Sequence, residues 1–349
     1  MKYTKLERNW VMYDVGNSAL VLLNTSVVPI YFNAINTGAS SADLVVAWGN
    51  AQTIASLVIA MLMPILGALA DYAGNKIKFF LGFFLTGLVL CLAQAIPMSA
   101  MAFLTVYVLC TIGLNSSMTF YDAMLPDITT DERMDAVSSS GYAWGYIGST
   151  VPFVICLALI MGGPALGVPT MLATRLSFII TGAWWLIFTL PLIRTYKQKY
   201  GRERGPEDTI GHIVGGVFSE VGHTMREIAH NKTVLVYMIA FFFYIDGVHT
   251  VISMATSYGG EVGIDSTQMI LALLLTQIVA FPCAIWSGKL AERFGSIRII
   301  KIFILIYCGI CFYGYLLDSA LDFWILAVLV GMCQGGIPVS YTHLTLPTI

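Results

Sequence analysis

The sequence predicts an all-α protein whose helices cross a membrane many times, and three observations support this fold class. Of the 349 residues, 57% are hydrophobic and only 11% are charged, whereas a soluble domain carries roughly 25% charged residues. Apolar stretches that reach the roughly 20 residues needed to cross a bilayer recur along the chain. The connections between them are short and rich in Gly, Pro, Asn and Ser. This composition excludes a soluble enzyme and a disordered chain, and a net charge of −2 excludes a nucleic-acid partner.

The apolar stretches predict ten membrane spans. The first follows a charged start with Lys2, Lys5 and Arg8, and it is too long for the apolar region of a cleaved signal peptide. It is therefore expected to remain as a transmembrane helix. The ten predicted spans are 10–34, 44–70, 79–96, 101–125, 136–161, 176–193, 233–257, 269–288, 299–317 and 323–337.

The distribution of basic residues predicts the orientation of these spans. With alternating crossings, all of the 18 Lys and Arg residues except Arg175 fall on one side of the membrane. Loops rich in Lys and Arg remain in the cytoplasm. The N-terminus is therefore expected to be cytoplasmic.

Residues 194–232 form the longest hydrophilic stretch and divide the spans into a group of six and a group of four. Its first part is a basic linker. Its second part has apolar residues at helical spacing, which predicts an amphipathic helix on the cytoplasmic interface. A site for a calmodulin-like partner is the alternative interpretation. His212, His223 and His230 are expected on the polar face of this helix and not as metal ligands.

Two loops with one pattern recur at corresponding positions of the two groups. The loop after the second span contains Gly67, Asp71, Gly74 and Lys76, and the loop after the eighth contains Gly288, Glu292, Gly295 and Arg298. A small residue allows two helices to approach, the acid can cap a helix or pair with a base, and the second Gly allows a tight turn.

This repeated pattern resembles the signature loop of the major facilitator superfamily, whose two six-helix halves are parallel repeats. The resemblance implies a major facilitator fold in which ten of twelve helices are present. The N-terminal bundle would be residues 1–193, the linker 194–232 and an incomplete C-terminal bundle 233–337. It also implies that Asp71, and more loosely Glu292, helps to latch one conformation of alternating access.

Four ionisable side chains lie inside the predicted spans, where such groups are costly and mark functional sites. Asp14 lies ~6 Å beyond Trp10 and Asp246 ~20 Å beyond Thr233 along their helices. Asp122 is near the end of the fourth span, and His249 shares a helix face with Asp246. A desolvated carboxylate can carry a proton across a membrane, and Asp246 with His249 is the preferred pair for such coupling. The alternative is that each acid lies at the interface and is capped by local donors.

Short motifs around these residues resemble one branch of the superfamily, the autophagy-related vacuolar amino-acid effluxer family and its bacterial relatives. The matching stretches include Tyr13-Asp14-x-x-Asn17-Ser18, Phe120-Tyr121-x-x-x-Leu125-Pro126, Tyr244-x-Asp246-Gly247-Val248-x-Thr250 and Gln334-Gly335-Gly336. The resemblance implies a multi-pass transporter of the cytoplasmic membrane that exports amino acids or related small solutes, driven by H⁺ or Na⁺ and without a cofactor. Its candidate substrate or coupling residues are Asp14, Asn17, Tyr121, Asp122, Tyr244, Asp246 and His249.

The tail, residues 338–349, departs from the family pattern and resembles translated adapter sequence. It is expected to be a non-native scar, and the intact gene is expected to encode two further helices. The alternative is a short protein with ten spans.

Two other functions fit parts of the sequence. A receptor or scaffold could keep a transporter fold without moving a solute. The pairs Tyr13-Asp14 and Tyr121-Asp122 resemble those of intramembrane aspartyl proteases, but the partner Gly-x-Gly-Asp motif is absent. The phosphate-binding loop Gly-x-x-x-x-Gly-Lys-[Ser/Thr] is absent too, so the sequence favours a secondary transporter over an ATP-driven pump or an enzyme.

Overall fold

The computed structural model describes residues 3–203 and 210–345, and this part of the chain is helical almost throughout. The helices are α1 (Lys5–Ile35), α2 (Ser41–Ala70), α3 (Lys76–Ala93), α4 (Ala100–Ala123), α5 (Leu125–Ile128), α6 (Asp131–Gly162), α7 (Thr170–Thr195), α8 (Ile210–His230), α9 (Lys232–Val262), α10 (Ser266–Phe294), α11 (Ser296–Tyr315) and α12 (Ala320–Thr345). A 3-10 turn, Gly163–Leu166, follows α6. The predicted all-α class is confirmed.

Nine of the helices in the described ranges are long and apolar enough to cross a membrane. They are α1–α4, α6, α7 and α9–α11, and they correspond to the first nine predicted spans. The tenth predicted span falls in α12, where the apolar stretch Ala320–Gly335 is shorter. The count of ten is therefore not confirmed by helix length and hydropathy. The helix α12 continues to Thr345, into the segment that the sequence analysis assigns to a tail.

Capping residues set the ends of several helices. Thr4 and Glu7 form a capping box at the start of α1, in which each side chain accepts a hydrogen bond from the backbone of the other. Ser40 caps α2 and Ser99 caps α4, and each serine side chain accepts a hydrogen bond from a backbone N–H in the first turn of its helix. Gly263, at a φ of 89°, ends α9 in the left-handed conformation that favours glycine.

The N-terminal half, α1–α7, is built around α1. Most of α1 is buried, and it packs mainly against α6 and α7. On the other side of the half, α3 and α4 approach each other closely. A Cβ added at Gly113 of α4 would lie only 2.7 Å from the Gly87 Cα of α3. Trp185 of α7 is fully buried and packs edge-on against Phe84 of α3, with ring centroids 4.9 Å apart.

In the C-terminal half, α9–α12, the closest pair is α10 with α12. A Cβ added at Gly331 of α12 would lie 2.7 Å from the Thr276 carbonyl oxygen of α10. The outer surface is apolar: Leu305 and Phe312 of α11 are 71% and 79% exposed. Exposed apolar side chains on helices of this length are typical of a surface that faces lipid.

Side chains of six elements meet at one end of the N-terminal half. These elements are the start of α1, the end of α2, the start of α3, α5, the start of α6 and the end of α7. We call this end the N-terminal face and the opposite end the far end. The linker helix α8 lies on the N-terminal face, where Val217 is buried against Tyr72 just after α2. The structure has a helix in the predicted linker, whereas its amphipathic position on a lipid interface and the domain limits stay predictions.

Candidate functional site

A cavity of about 470 Å³ lies between the two halves of the protein. Helices α1, α2 and α6 line it from the N-terminal half, and α9–α12 line it from the C-terminal half. Its walls are mainly aliphatic and aromatic, with hydroxyl and amide groups at intervals, and no charged side chain is among the described lining residues. The polar lining residues are Ser18, Thr25, Tyr146, Thr250, Tyr258, Thr276, Gln277, Tyr315 and Gln334.

Hydrogen bonds between the halves close the cavity at the far end. Thr256 of α9 donates to the Thr25 carbonyl oxygen of α1 at 2.8 Å. The Trp48 indole of α2 donates to the Ser253 carbonyl oxygen at 3.3 Å. Both contacts use the second half of α9, whereas Val236 and Phe242 in its first half are each 66% exposed. The halves are therefore tied together beyond the cavity.

The Tyr146 hydroxyl of α6 forms a third connection between the halves, beside the cavity. It donates to the Gln334 carbonyl oxygen of α12 at 2.8 Å. Tyr146 also packs with Ala280 and Ala284 of α10. A solute in the cavity would contact this tyrosine and both halves at once.

Asp14, Tyr121 and Asp122, which we call the acid cluster, lie in the N-terminal half next to the cavity. Ser18, which lines the cavity, follows Asp14 by one helical turn on the same face of α1. Asp14 is buried and lies against α6, where a Cβ added at Gly141 would meet its Oδ2 at 3.0 Å. Asp122 is exposed and lies near Asp14. The structure thus brings two predicted acids together.

Tyr121 is held between aromatic rings inside this cluster. Its ring stacks on Trp10 with centroids 4.3 Å apart, and the Trp10 indole donates to the Tyr121 carbonyl oxygen at 3.1 Å. The Tyr121 hydroxyl is buried without a hydrogen-bond partner. It faces the same point of α6 as Asp14, 3.5 Å from a Cβ added at Gly141.

The other predicted site residues lie elsewhere. Asn17, one turn beyond Asp14, faces its carboxylate. Asp246 and His249 are exposed on α9, three residues apart on one helix face. Tyr244 packs near the buried Tyr307. The α9 residues are not part of the acid cluster, and none of these four lines the cavity, although Thr250, one turn after Asp246, does.

The first signature loop is arranged around an acid that the sequence analysis missed. Lys76 pairs with Asp127 of α5 at 3.0 Å, while Asp71 is exposed. Asp127 is fully buried and also accepts hydrogen bonds from the Tyr196 hydroxyl at 2.6 Å and from two linker backbone N–H groups at 2.9 Å each. Burial alone would raise the pKa of the Asp127 carboxyl. These hydrogen bonds from Tyr196, the linker backbone and Lys76 outweigh that effect and hold the pKa below its usual range.

The second signature loop is described only in part. Gly295 has a φ of 86°, which a tight turn requires, and Arg298 is exposed. The side chain of Glu292 and the surroundings of Gly288 lie outside the part that the structure describes. The predicted latch at Glu292 stays a prediction.

A second buried acid lies on the N-terminal face. Glu7 accepts two parallel hydrogen bonds from Arg133, Nε to Oε1 and Nη2 to Oε2, both at 2.8 Å. It also accepts one from Thr129 at 2.7 Å. This pair joins the start of α1 to the start of α6.

A family model described as "Vacuole effluxer Atg22 like" matches residues 4–343. The chain belongs to the Atg22-like family. It is 42% identical over 344 residues to "Uncharacterized MFS-type transporter YxiO" of Bacillus subtilis (strain 168), covering 96% of this chain and 79% of that protein. It is 24% identical over 227 residues to "Autophagy-related protein 22" of Yarrowia lipolytica, covering 58% of this chain and 38% of that protein.

The fold of this Atg22-like chain is similar to that of the proton:xylose symporter XylE, with a TM-score of 0.65 at 12% identity, over 98% of this chain and 82% of that one. These findings confirm that it is a multi-pass membrane protein and a secondary transporter of the major facilitator superfamily. They place it with transporters rather than enzymes.

The cavity-lining residues are what sequence reasoning missed in this Atg22-like transporter. Thr25, Thr276 and Gln277 belong to apolar stretches in which single hydroxyl or amide side chains form no motif. An amide inside a membrane span is a usable signal, because Gln is costly there unless it meets a polar partner. Gln277 and Gln334 could have been selected on that ground.

Proposed function

We propose that this Atg22-like chain exports a small solute, an amino acid or a related metabolite, across the cytoplasmic membrane of a bacterial cell by alternating access coupled to H⁺. The solute occupies the cavity between the halves. The N-terminus is in the cytoplasm. The family description as a vacuole effluxer and the proton coupling named for XylE support the direction and the driving ion.

The single observation that carries this proposal is the position of the cavity. Both halves supply its walls, so a bound solute contacts groups that separate when the halves rock apart. Hydroxyl and amide groups from Ser18, Thr276 and Gln277 give a polar solute hydrogen bonds inside an apolar shell, which is the usual composition of a small-molecule site.

Because the described lining residues carry no charge, the cavity favours a solute with zero net charge. A net-charged solute would be desolvated there without a counter-charge, which is costly. A zwitterion with an apolar side chain can hydrogen-bond to the amide groups and pack that side chain against the aliphatic wall.

On the N-terminal face, the first signature loop acts as the latch. Asp127 holds Lys76 and the linker in one arrangement, and Asp71 lies beside this contact. Glu292 takes the corresponding place in the second half.

The test is counterflow of labelled neutral amino acids into liposomes that contain the full chain and a high internal concentration of the unlabelled compound. Accumulation that saturates with concentration and responds to a pH gradient supports the proposal. Labelled anionic amino acids are the control, and they should not accumulate. Equal entry into protein-free liposomes would refute solute transport by this chain.

A further inference from the structure

The acid cluster contains a buried hydroxyl that is not hydrogen-bonded. Tyr121 is only 2% exposed, and its hydroxyl has no partner. Leaving such a group unpaired costs about 1–3 kcal/mol, so a buried unpaired hydroxyl in a native fold requires a reason. The hydroxyl faces the point of α6 at which Asp14 Oδ2 lies.

Among the residues that the structure describes, no Lys, Arg or His side chain forms an ion pair with Asp14. The titratable groups near it are Tyr13 of α1 and Tyr121 and Asp122 of α4, and Tyr142 of α6 lies near Tyr121. On the side of α7, α1 meets the uncharged residues Trp184, Trp185 and Phe188, and no described titratable side chain of α9 or α10 contacts the cluster.

The base on α6, Arg133, is already paired with Glu7. Among the described residues, neither carboxylate of the cluster has an ion pair. A buried carboxylate without a cation is unfavourable.

We propose that the acid cluster is the proton-binding site of the transport cycle, an inference that rests on the proposed function. Asp14 takes up one proton from water that reaches it past the exposed Asp122. A single O–H bond forms on the carboxylate, and the Tyr121 hydroxyl hydrogen-bonds to the neutral carboxyl group. When the halves rock, that O–H bond breaks and the proton leaves to the other side, with no change in oxidation state.

A proton fits this site better than a sodium ion. A metal cation needs several oxygen ligands around it. Gly141 and Gly145 of α6 add no side-chain oxygen to the site, and the Ser18 hydroxyl beside Gly145 already donates to Asn17 Oδ1 at 3.4 Å. Asp246 and His249 lie on α9 and are not part of the acid cluster.

The direct test is infrared difference spectroscopy of the full chain in liposomes as the pH is raised in sodium-free buffer. The wild type should lose a protonated-carboxyl C=O band, and Asp14→Asn should abolish that band. Tyr121→Phe should keep the band but shift its frequency, because the hydrogen bond is lost. This second variant keeps the test informative if Asp14→Asn does not fold.

The control variant is Asp265→Asn, which makes the same change at an exposed residue that caps the start of α10 and should leave the band intact. The inference is overturned if no carboxyl band titrates in the wild type, if the band survives Asp14→Asn, or if Asp246→Asn removes it instead. Sodium that displaces the band at constant pH would also overturn it.

Transport then separates this inference from the proposed function. Asp14→Asn should lose at least tenfold in uptake driven by a pH gradient, whereas the control variant Asp265→Asn, outside the acid cluster and the cavity, should keep it. If the wild type shows the infrared band but no counterflow of any labelled amino acid, the proton site stands and the proposed function fails.

Discussion

Lys76 donates to Asp127 Oδ2 at 3.0 Å, across 51 residues of sequence and away from Asp71 in its own loop. Both side chains of this pair are buried. The Lys76 ammonium also donates to the Ala123 carbonyl oxygen at 2.9 Å. This contact therefore fastens the signature loop to α5 and the linker.

Removing the charge of Asp127 should destabilise the protein strongly. Asp127→Asn leaves the buried Lys76 charge without its partner, which costs about 3–5 kcal/mol when one side of a buried pair is lost. The measurement is the free energy of unfolding in detergent. Asp131→Asn, an identical change at an exposed residue, should change it by less than about 0.5 kcal/mol. Equal effects of the two substitutions would contradict this assignment.

The same carboxyl group predicts a pH dependence. Because the pKa of Asp127 is lower in the folded protein than in the unfolded chain, its contribution is complete above the unfolded value of about 3.9. That contribution is lost as the pH falls through the lower folded value. The difference in Tm between the wild type and Asp127→Asn should be constant near neutral pH and shrink below about pH 4. A difference that grows on acidification has the wrong sign.

The contact between α1 and α6 should not tolerate a methyl group. A Cβ at Gly148 would lie 2.5 Å from Val15 Cγ1, and a β-branched side chain has little freedom to move aside. Gly148→Ala should therefore cost about 1–3 kcal/mol of unfolding free energy. Gly82→Ala in α3, where a Cβ meets nothing within 4 Å, should be neutral or stabilising by up to about 1 kcal/mol. Similar changes in unfolding free energy for Gly148→Ala and Gly82→Ala would contradict the close contact between α1 and α6.

The stability that the two parallel hydrogen bonds between Arg133 and Glu7 contribute should depend on guanidinium geometry as well as on charge. Arg133→Lys keeps the charge but cannot make both parallel hydrogen bonds, and it should lower the unfolding free energy by about 1–2 kcal/mol. Arg8→Lys, at an exposed position of α1, is the matched control. Retention of full stability in Arg133→Lys would mean that charge alone holds the two helices together.

Hydropathy was sufficient to predict the helices, because a bilayer imposes a length and an apolar composition that can be counted along the chain. The exception is α12, whose apolar stretch Ala320–Gly335 is shorter than the others. The sequence indicated Asp14 and Asp122, which lie with Tyr121 in the acid cluster, because acidic residues inside membrane spans are energetically costly and therefore rare.

The partners of Lys76 and Glu7 could not be predicted. Asp127 and Arg133 are ordinary loop and helix-start residues in the sequence, and only the tertiary fold brings them to partners 51 and 126 residues away. The cavity residues were equally hidden, because Thr25 and Thr276 acquire a role only when helices of the two halves meet.

The central claim is that the cavity between the halves is the transport site. The most direct test is counterflow of labelled neutral amino acids by Thr250→Trp and Val236→Trp, which place the same bulky ring on α9. Thr250 lines the cavity, whereas Val236 is 66% exposed outside it. We expect Thr250→Trp to abolish counterflow and Val236→Trp to retain it. Full counterflow in Thr250→Trp would contradict the account.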